Sequence, residues 1–279
     1  MTSPETRKLW VGTSWKMNKT LAEADSYVDQ LVTFPILSDI QPFVLPPHTA
    51  LARVRNRLPA DSPVLLGAQN AHWAPEGAWT GEISMRMAKD AGATLIEIGH
   101  SERREHFGET DHTVALKTAA AIANDLTPLV CVGEPLVVRD VGGAEDFVRL
   151  QLQIALSELA PAETQRVIIA YEPIWAIGEH GTEPTLDQIA PVMSVINDVV
   201  RARAGGARAV LYGGSVNATN AAELLSVPQA DGLFVGRAAW TASGFIELLK
   251  VCASHTRAES ASSTTHSRTL PWTTTTALQ

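Results

Sequence analysis

The sequence predicts an α/β fold, a single-domain (β/α)8 barrel, and three observations predict it. Short β-rich runs alternate with helical patterns from end to end. Eight such pairs fit within about 250 residues, the usual size of that barrel. The predicted strands are mostly continuous apolar runs, as parallel strands covered on both faces should be. A doubly wound open sheet is the structural alternative, but no G-x-G-x-x-G follows the first strand.

In order, the first strand is Leu9-Trp10-Val11-Gly12, and Thr20 caps a helix with Leu21, Ala24, Val28, Leu31 and Val32 on one stripe. Phe43 to Leu45 is the second strand, with a helix through Ala50, Val54 and Leu58. Val64 to Leu66 is the third, and its helix from Ser84 to Ala91 stops at Gly92. Thr94 to Ile98 and Leu129 to Val132 are the fourth and fifth, with helices over Thr113 to Ala123 and Phe147 to Leu159. Val167 to Ala170, Ala209 to Leu211 and Leu233 to Val235 complete the strands. Their helices are Leu186 to Ala204, Ala218 to Leu225 and Phe245 to Ala253.

Residues 8–255 form the predicted barrel; 1–7 and the Ser/Thr-rich 256–279 read as disordered. A formal charge of −8 with no Lys/Arg block disfavours nucleic acid. No apolar run reaches membrane-spanning length, and Met1 to Lys8 lack an apolar signal core. The two cysteines, Cys131 and Cys252, make no disulfide framework and suit a reducing cytoplasm. The connection from Gln69 to Glu82 is long and carries His72, Trp73, Trp79 and Thr80. Such a loop suits insertion into a second subunit, and homodimers are the commonest symmetric assembly.

Barrel active sites lie at the carboxyl ends of the strands. Glu172 ends an apolar strand there, held extended by Pro173, beneath a loop flanked by Gly178 and Gly181. A charge in that place is costly unless it serves a purpose. Ser14 and Lys16 follow the first strand, and His100, Ser101 and Glu102 the fourth. Gly213-Gly214-Ser215 and Gly236-Arg237 follow the last two, where barrels bind phosphate through backbone N–H groups. Base, imidazole, lysine and phosphate cradle together suit proton abstraction beside a carbonyl. A helix starting after His100 would keep its imidazole neutral, and Lys16 would offset developing negative charge. His72, His100 and His106 form no ligand set with carboxylates, so no metal or other cofactor is expected.

These motifs resemble triosephosphate isomerase. The resemblance is carried by Trp15-Lys16-Met17-Asn18, Gly99-His100-Ser101-Glu102-Arg103-Arg104, Tyr171-Glu172-Pro173-Ile174-Trp175 and Tyr212-Gly213-Gly214-Ser215. It implies a TIM barrel with Glu172 as base, His100 as electrophile, Lys16 as electrostatic catalyst and Glu102 beside Lys16. It also implies Ser101 as the partner of Glu172 before loop closure. Phosphate would be held by Gly178, Gly214, Ser215 and Gly236, and Trp73, Thr80 and Met17 would lie at a dimer interface. This family is itself the established example of a base glutamate working with a neutral histidine.

Three motifs depart from the family pattern. Thr13-Ser14-Trp15-Lys16 stands where the family reads Gly-Asn-Trp-Lys. The loop after Gly178 reads Glu179-His180-Gly181-Thr182-Glu183-Pro184, and the last phosphate motif Val235-Gly236-Arg237-Ala238. Ser14 is smaller than asparagine and opens space at the reacting end of the substrate. The variant motifs are similar to a branch containing L-erythrulose 1-phosphate isomerases. Glycolytic triosephosphate isomerase and a non-catalytic phosphosugar-binding barrel are the alternatives.

Overall fold

In the computed structural model, residues 8–178 and 181–266 are described, with side chains up to Arg257. Expectations for residues 1–7, for Glu179 and His180, and for 267–279 fall outside them. Eight parallel strands close into one barrel, β1 pairing with both β2 and β8. They are β1 Leu9–Ser14, β2 Ile40–Leu45, β3 Leu65–Ala68, β4 Leu95–Ile98, β5 Thr127–Val132, β6 Ile168–Tyr171, β7 Ala209–Tyr212 and β8 Gly232–Val235. The predicted TIM barrel is therefore the fold.

The helices are α1 Leu21–Leu31, α2 His48–Arg57, α3 Met85–Asp90, α4 Ser101–Phe107, α5 Asp111–Ala123, α6 Leu136–Asp140, α7 Ala144–Ala155, α8 Leu186–Ala204, α9 Ala221–Leu224 and α10 Ala242–His266. Thr20 caps α1 as expected, in a reciprocal capping box with Glu23. Leu21 and Val32 nevertheless lie exposed, and Tyr27 joins the buried stripe in their place. The short α6 was not foreseen. α10 continues past residue 255, where the barrel was expected to end. Thr256 Oγ1 donates to Asp39 Oδ2 at 2.6 Å, tying this part of the helix to the chain just before β2. The start of the expected disordered tail is thus helical.

Strand alternation divides the core into two layers. Phe43, Leu45, Leu95, Leu129, Cys131, Ile168, Ala170, Ala209, Leu211 and Phe234 fill the barrel interior. Residues of opposite phase, such as Val11, Val44, Ile96, Val130 and Ile169, pack outward under the helices. Large and small residues alternate in the interior. A Cβ on Gly12 would lie 2.0 Å from the Phe43 ring, and Phe43 stacks on Phe234 at 5.7 Å. Burying one such phenyl contributes about 1.5–3 kcal/mol. A filled interior leaves the rim as the place for a cavity.

Candidate active site

Glu172, the first residue past β6, has a carboxylate that is almost wholly buried. Burial pushes its pKa up to about 8, the Glu97 charge adding to the rise and Lys16 opposing it. Its Oε2 is buried without a hydrogen-bond partner and lies 3.6 Å from His100 Nε2. The neighbouring turn makes room for this side chain. A Cβ on Gly213 would stand 2.8 Å from Glu172 Cγ, so only glycine fits without displacing the carboxylate.

His100 caps α4, and its Nδ1 accepts the Glu102 backbone N–H at 3.1 Å. The ring proton therefore sits on Nε2, the nitrogen facing Glu172. Burial lowers the imidazole pKa to about 4, helped by the Lys16 charge, so the ring is neutral at pH 7. The expected helix terminus is present, but burial is the larger cause.

Lys16 adopts a left-handed φ of 53°, a strained conformation for a residue with a side chain. Neighbouring groups hold it. Gln69 Nε2 donates to the Lys16 carbonyl at 3.0 Å and to the Leu45 carbonyl at 2.9 Å, and Asn18 donates to the Trp15 carbonyl at 2.8 Å. Lys16 Nζ lies 2.5 Å from Glu102 Oε1. Partial burial pushes the Glu102 carboxyl up, but the Lys16 hydrogen bond and charge prevail and keep it below its ordinary value.

These groups face a cavity of about 390 Å³. Ser14, Lys16, His100, Glu102 and Glu172 line it together with Gly178, Gly214, Ser215, Gly236 and Arg237. Gly178 has φ of +90°, a conformation that favours glycine. No atom lies within 4 Å of a Cβ built on Gly236, so its backbone is open to an approaching oxyanion. Arg237 is exposed at the cavity wall and makes no ion pair among the described residues.

One expected contact is missing: no hydrogen bond joins Ser101 to Glu172 among the described residues. The Glu172 carboxylate is turned toward His100 instead. Met17, Trp73 and Thr80 lie outside the cavity. Met17 is 97% exposed and Thr80 is exposed, while the His72 ring stacks on Trp73 at 4.0 Å and tilts against Trp79 at 4.4 Å.

Sequence reasoning missed two carboxylates. Glu134 is fully buried and accepts from Trp175 Nε1 at 2.8 Å and Tyr171 Oη at 3.2 Å. Arg139 of α6 pairs with it at 3.3 Å and lies over the Trp175 ring. The loop that follows Glu172 is thereby anchored at its start. Glu97, inside the barrel, accepts from Ser14 Oγ at 2.9 Å. A Glu-Pro step just after a strand, and a lone charge in an apolar strand, were the available signals. Trp240 was missed as a support: its Nε1 donates to the Ser14 carbonyl at 3.0 Å.

A sequence model described as triosephosphate isomerase matches residues 9–252. The chain belongs to the triosephosphate isomerase family. Within it, the chain is 52% identical to the L-erythrulose-1-phosphate isomerase of Mesorhizobium japonicum over 243 residues, 86% of this chain and 95% of that protein. It is 48% identical to the protein of that name from Mycolicibacterium smegmatis over 255 residues, 90% of this chain and 96% of that protein. It is 50% identical to the one from Rhizobium meliloti over 245 residues, 87% of this chain and 96% of that protein. The barrel of this family member is thus the one the motifs implied.

Proposed function

We propose that the chain is an L-erythrulose-1-phosphate isomerase, interconverting L-erythrulose 1-phosphate and D-erythrulose 4-phosphate through an enediol. The observation that carries this reading is one cavity shared by an unpartnered carboxylate oxygen, a neutral imidazole, a lysine and a phosphate cradle. Relatives of that name support the choice of sugar, as does Ser14 where the family usually has asparagine.

The roles follow from the geometry. Phosphate binds the backbone N–H groups at Gly178, Gly214, Ser215 and Gly236, with Arg237 at the rim. Glu172 takes the proton from C3, and the C–H electron pair becomes the C2–C3 double bond. The carbonyl pair moves onto the C2 oxygen, where the His100 Nε2–H and Lys16 stabilise it. The C3 hydroxyl proton passes to the C2 oxygen by way of the His100 imidazole, and Glu172 returns its proton to C2 as the C3 oxygen becomes the new carbonyl. Dihydroxyacetone phosphate differs from this substrate by a hydrogen in place of CH2OH, so the same groups serve either. No cofactor takes part in such a proton transfer. Glu102 holds Lys16 in place, and loop closure excludes water from the enediol.

A homodimer belongs to this reading. Thr80 and the half-exposed Trp79 project on the long loop, and Met17 is bare beside Lys16. A partner covering Met17 would finish the wall behind Lys16. The cytoplasmic assignment rests on two free, buried cysteines, which suit a reducing compartment.

The test is an assay of the pure enzyme with L-erythrulose 1-phosphate and with glyceraldehyde 3-phosphate. Higher kcat/KM on the four-carbon sugar is expected. A clear preference for the three-carbon sugar would mean a triosephosphate isomerase, and activity on neither a binding barrel.

A further inference from the structure

Glu97 has no part in the proton transfer, yet it sits at the heart of the barrel. Within β4 it shares the phase of Leu95, which belongs to the interior core, so its side chain points inward. It is only 3% exposed. An interior carboxylate is unfavourable unless a partner or a ligand compensates it. Its one hydrogen-bonding side chain among the described residues is the Ser14 hydroxyl, donating at 2.9 Å. Among the described residues no cation pairs with it directly.

Its surroundings place it just under the reaction. Ser14 lines the cavity with Glu172, His100 and Lys16. Cys131, another interior residue, feels the charges of both Glu97 and Glu172. Burial raises the Glu97 pKa to about 7, against the pull of Ser14 and Lys16, which marks a carboxyl short of polar partners. A phosphosugar with its phosphate on Gly214, Ser215 and Gly236 extends toward Glu172 and His100. A carbon beyond the reacting one would have to lodge against the cavity wall at Ser14, the lining residue bonded to Glu97 beneath it.

We propose that Glu97 is a specificity-determining residue: held by Ser14, its carboxyl hydrogen-bonds the terminal hydroxyl of the hydroxymethyl group that distinguishes a four-carbon substrate. This rests on the four-carbon reading above. A three-carbon substrate leaves the carboxyl buried with no hydroxyl to meet it, so Glu97 both attracts the longer sugar and discriminates against the shorter. Sites built to bind a hydroxyl reject the analogue lacking it far better than apolar pockets sort by size.

The test is the ratio of kcat/KM for L-erythrulose 1-phosphate to that for glyceraldehyde 3-phosphate. Glu97→Leu, which matches the interior leucines, should move the ratio toward the three-carbon sugar by about 100-fold. Glu97→Gln keeps the shape and one acceptor, and should move it the same way by about 10-fold, deciding the matter if the leucine variant fails to fold. The four-carbon loss should fall mainly on KM, since the contact is made in ground state and transition state alike. An unchanged ratio, whatever happens to absolute activity, would overturn the proposal. A wild-type preference for three carbons would instead sink the four-carbon reading, independently of how the variants shift the ratio.

Discussion

Glu172 is buried more thoroughly than a charged base would choose, and its environment explains why that serves the chemistry. A carboxylate stripped of water and left with one oxygen unpartnered has a raised proton affinity, here a pKa of about 8. The same burial has a cost in stability. The folded pKa stands above the unfolded value of about 4.3, so the folded state binds the proton more tightly. The stability this group contributes is full below the unfolded pKa and is lost as pH rises through the folded one. Glu172→Gln removes that loss. Its Tm advantage over the wild type should therefore grow between about pH 5 and pH 9 in thermal melts, while kcat falls by about 10² to 10⁴-fold. A flat Tm difference across that range would mean the carboxyl is not desolvated in solution.

At the scale of elements, the first residues of the loop after β6 are tethered. Glu134, at the end of β5, gathers the Trp175 indole, the Tyr171 hydroxyl and the Arg139 guanidinium around one buried carboxylate. The tether fixes the start of the loop at Trp175. Replacing Glu134 with leucine strands a mostly buried arginine and two polar hydrogens. Urea denaturation of Glu134→Leu should show a loss of about 3–5 kcal/mol. Trp175→Phe removes only the indole bond, costs about 1 kcal/mol, and tests the tether through kcat.

The whole molecule carries features that a lone barrel does not explain. Met17 is 97% exposed next to a strained lysine at the cavity rim, and Trp79 of the long loop is half exposed beside the buried His72 ring. Association of two chains through these surfaces is the expected state. Sedimentation velocity should show a dimer, and Thr80→Arg with Trp79→Asp should yield monomers with kcat reduced about tenfold or more, as Lys16 loses its backing. Monomers of full activity would show that the cavity is complete in one chain.

The sequence by itself determined the barrel, the order of its elements, and the rim residues. Parallel strands must be apolar on both faces, and each strand must end in a loop that faces one common rim. Periodicity and punctuation therefore show where Glu172, His100 and Lys16 stand along the chain, and family motifs suggest the roles proposed for them. Closure of the strands decided what alternation along one strand leaves open. Nothing local to Leu95-Ile96-Glu97-Ile98 says whether the glutamate points into the barrel or under the helices. Its phase depends on β3 and β5, and its meeting with Ser14 on the closing of β1 onto both β2 and β8. The same holds for Glu134, whose hydrogen-bond donors Tyr171 and Trp175 lie 37 and 41 positions further along the chain. Burial of charge is a property of many segments packed together, so the tertiary structure alone could show which carboxylates were driven from water.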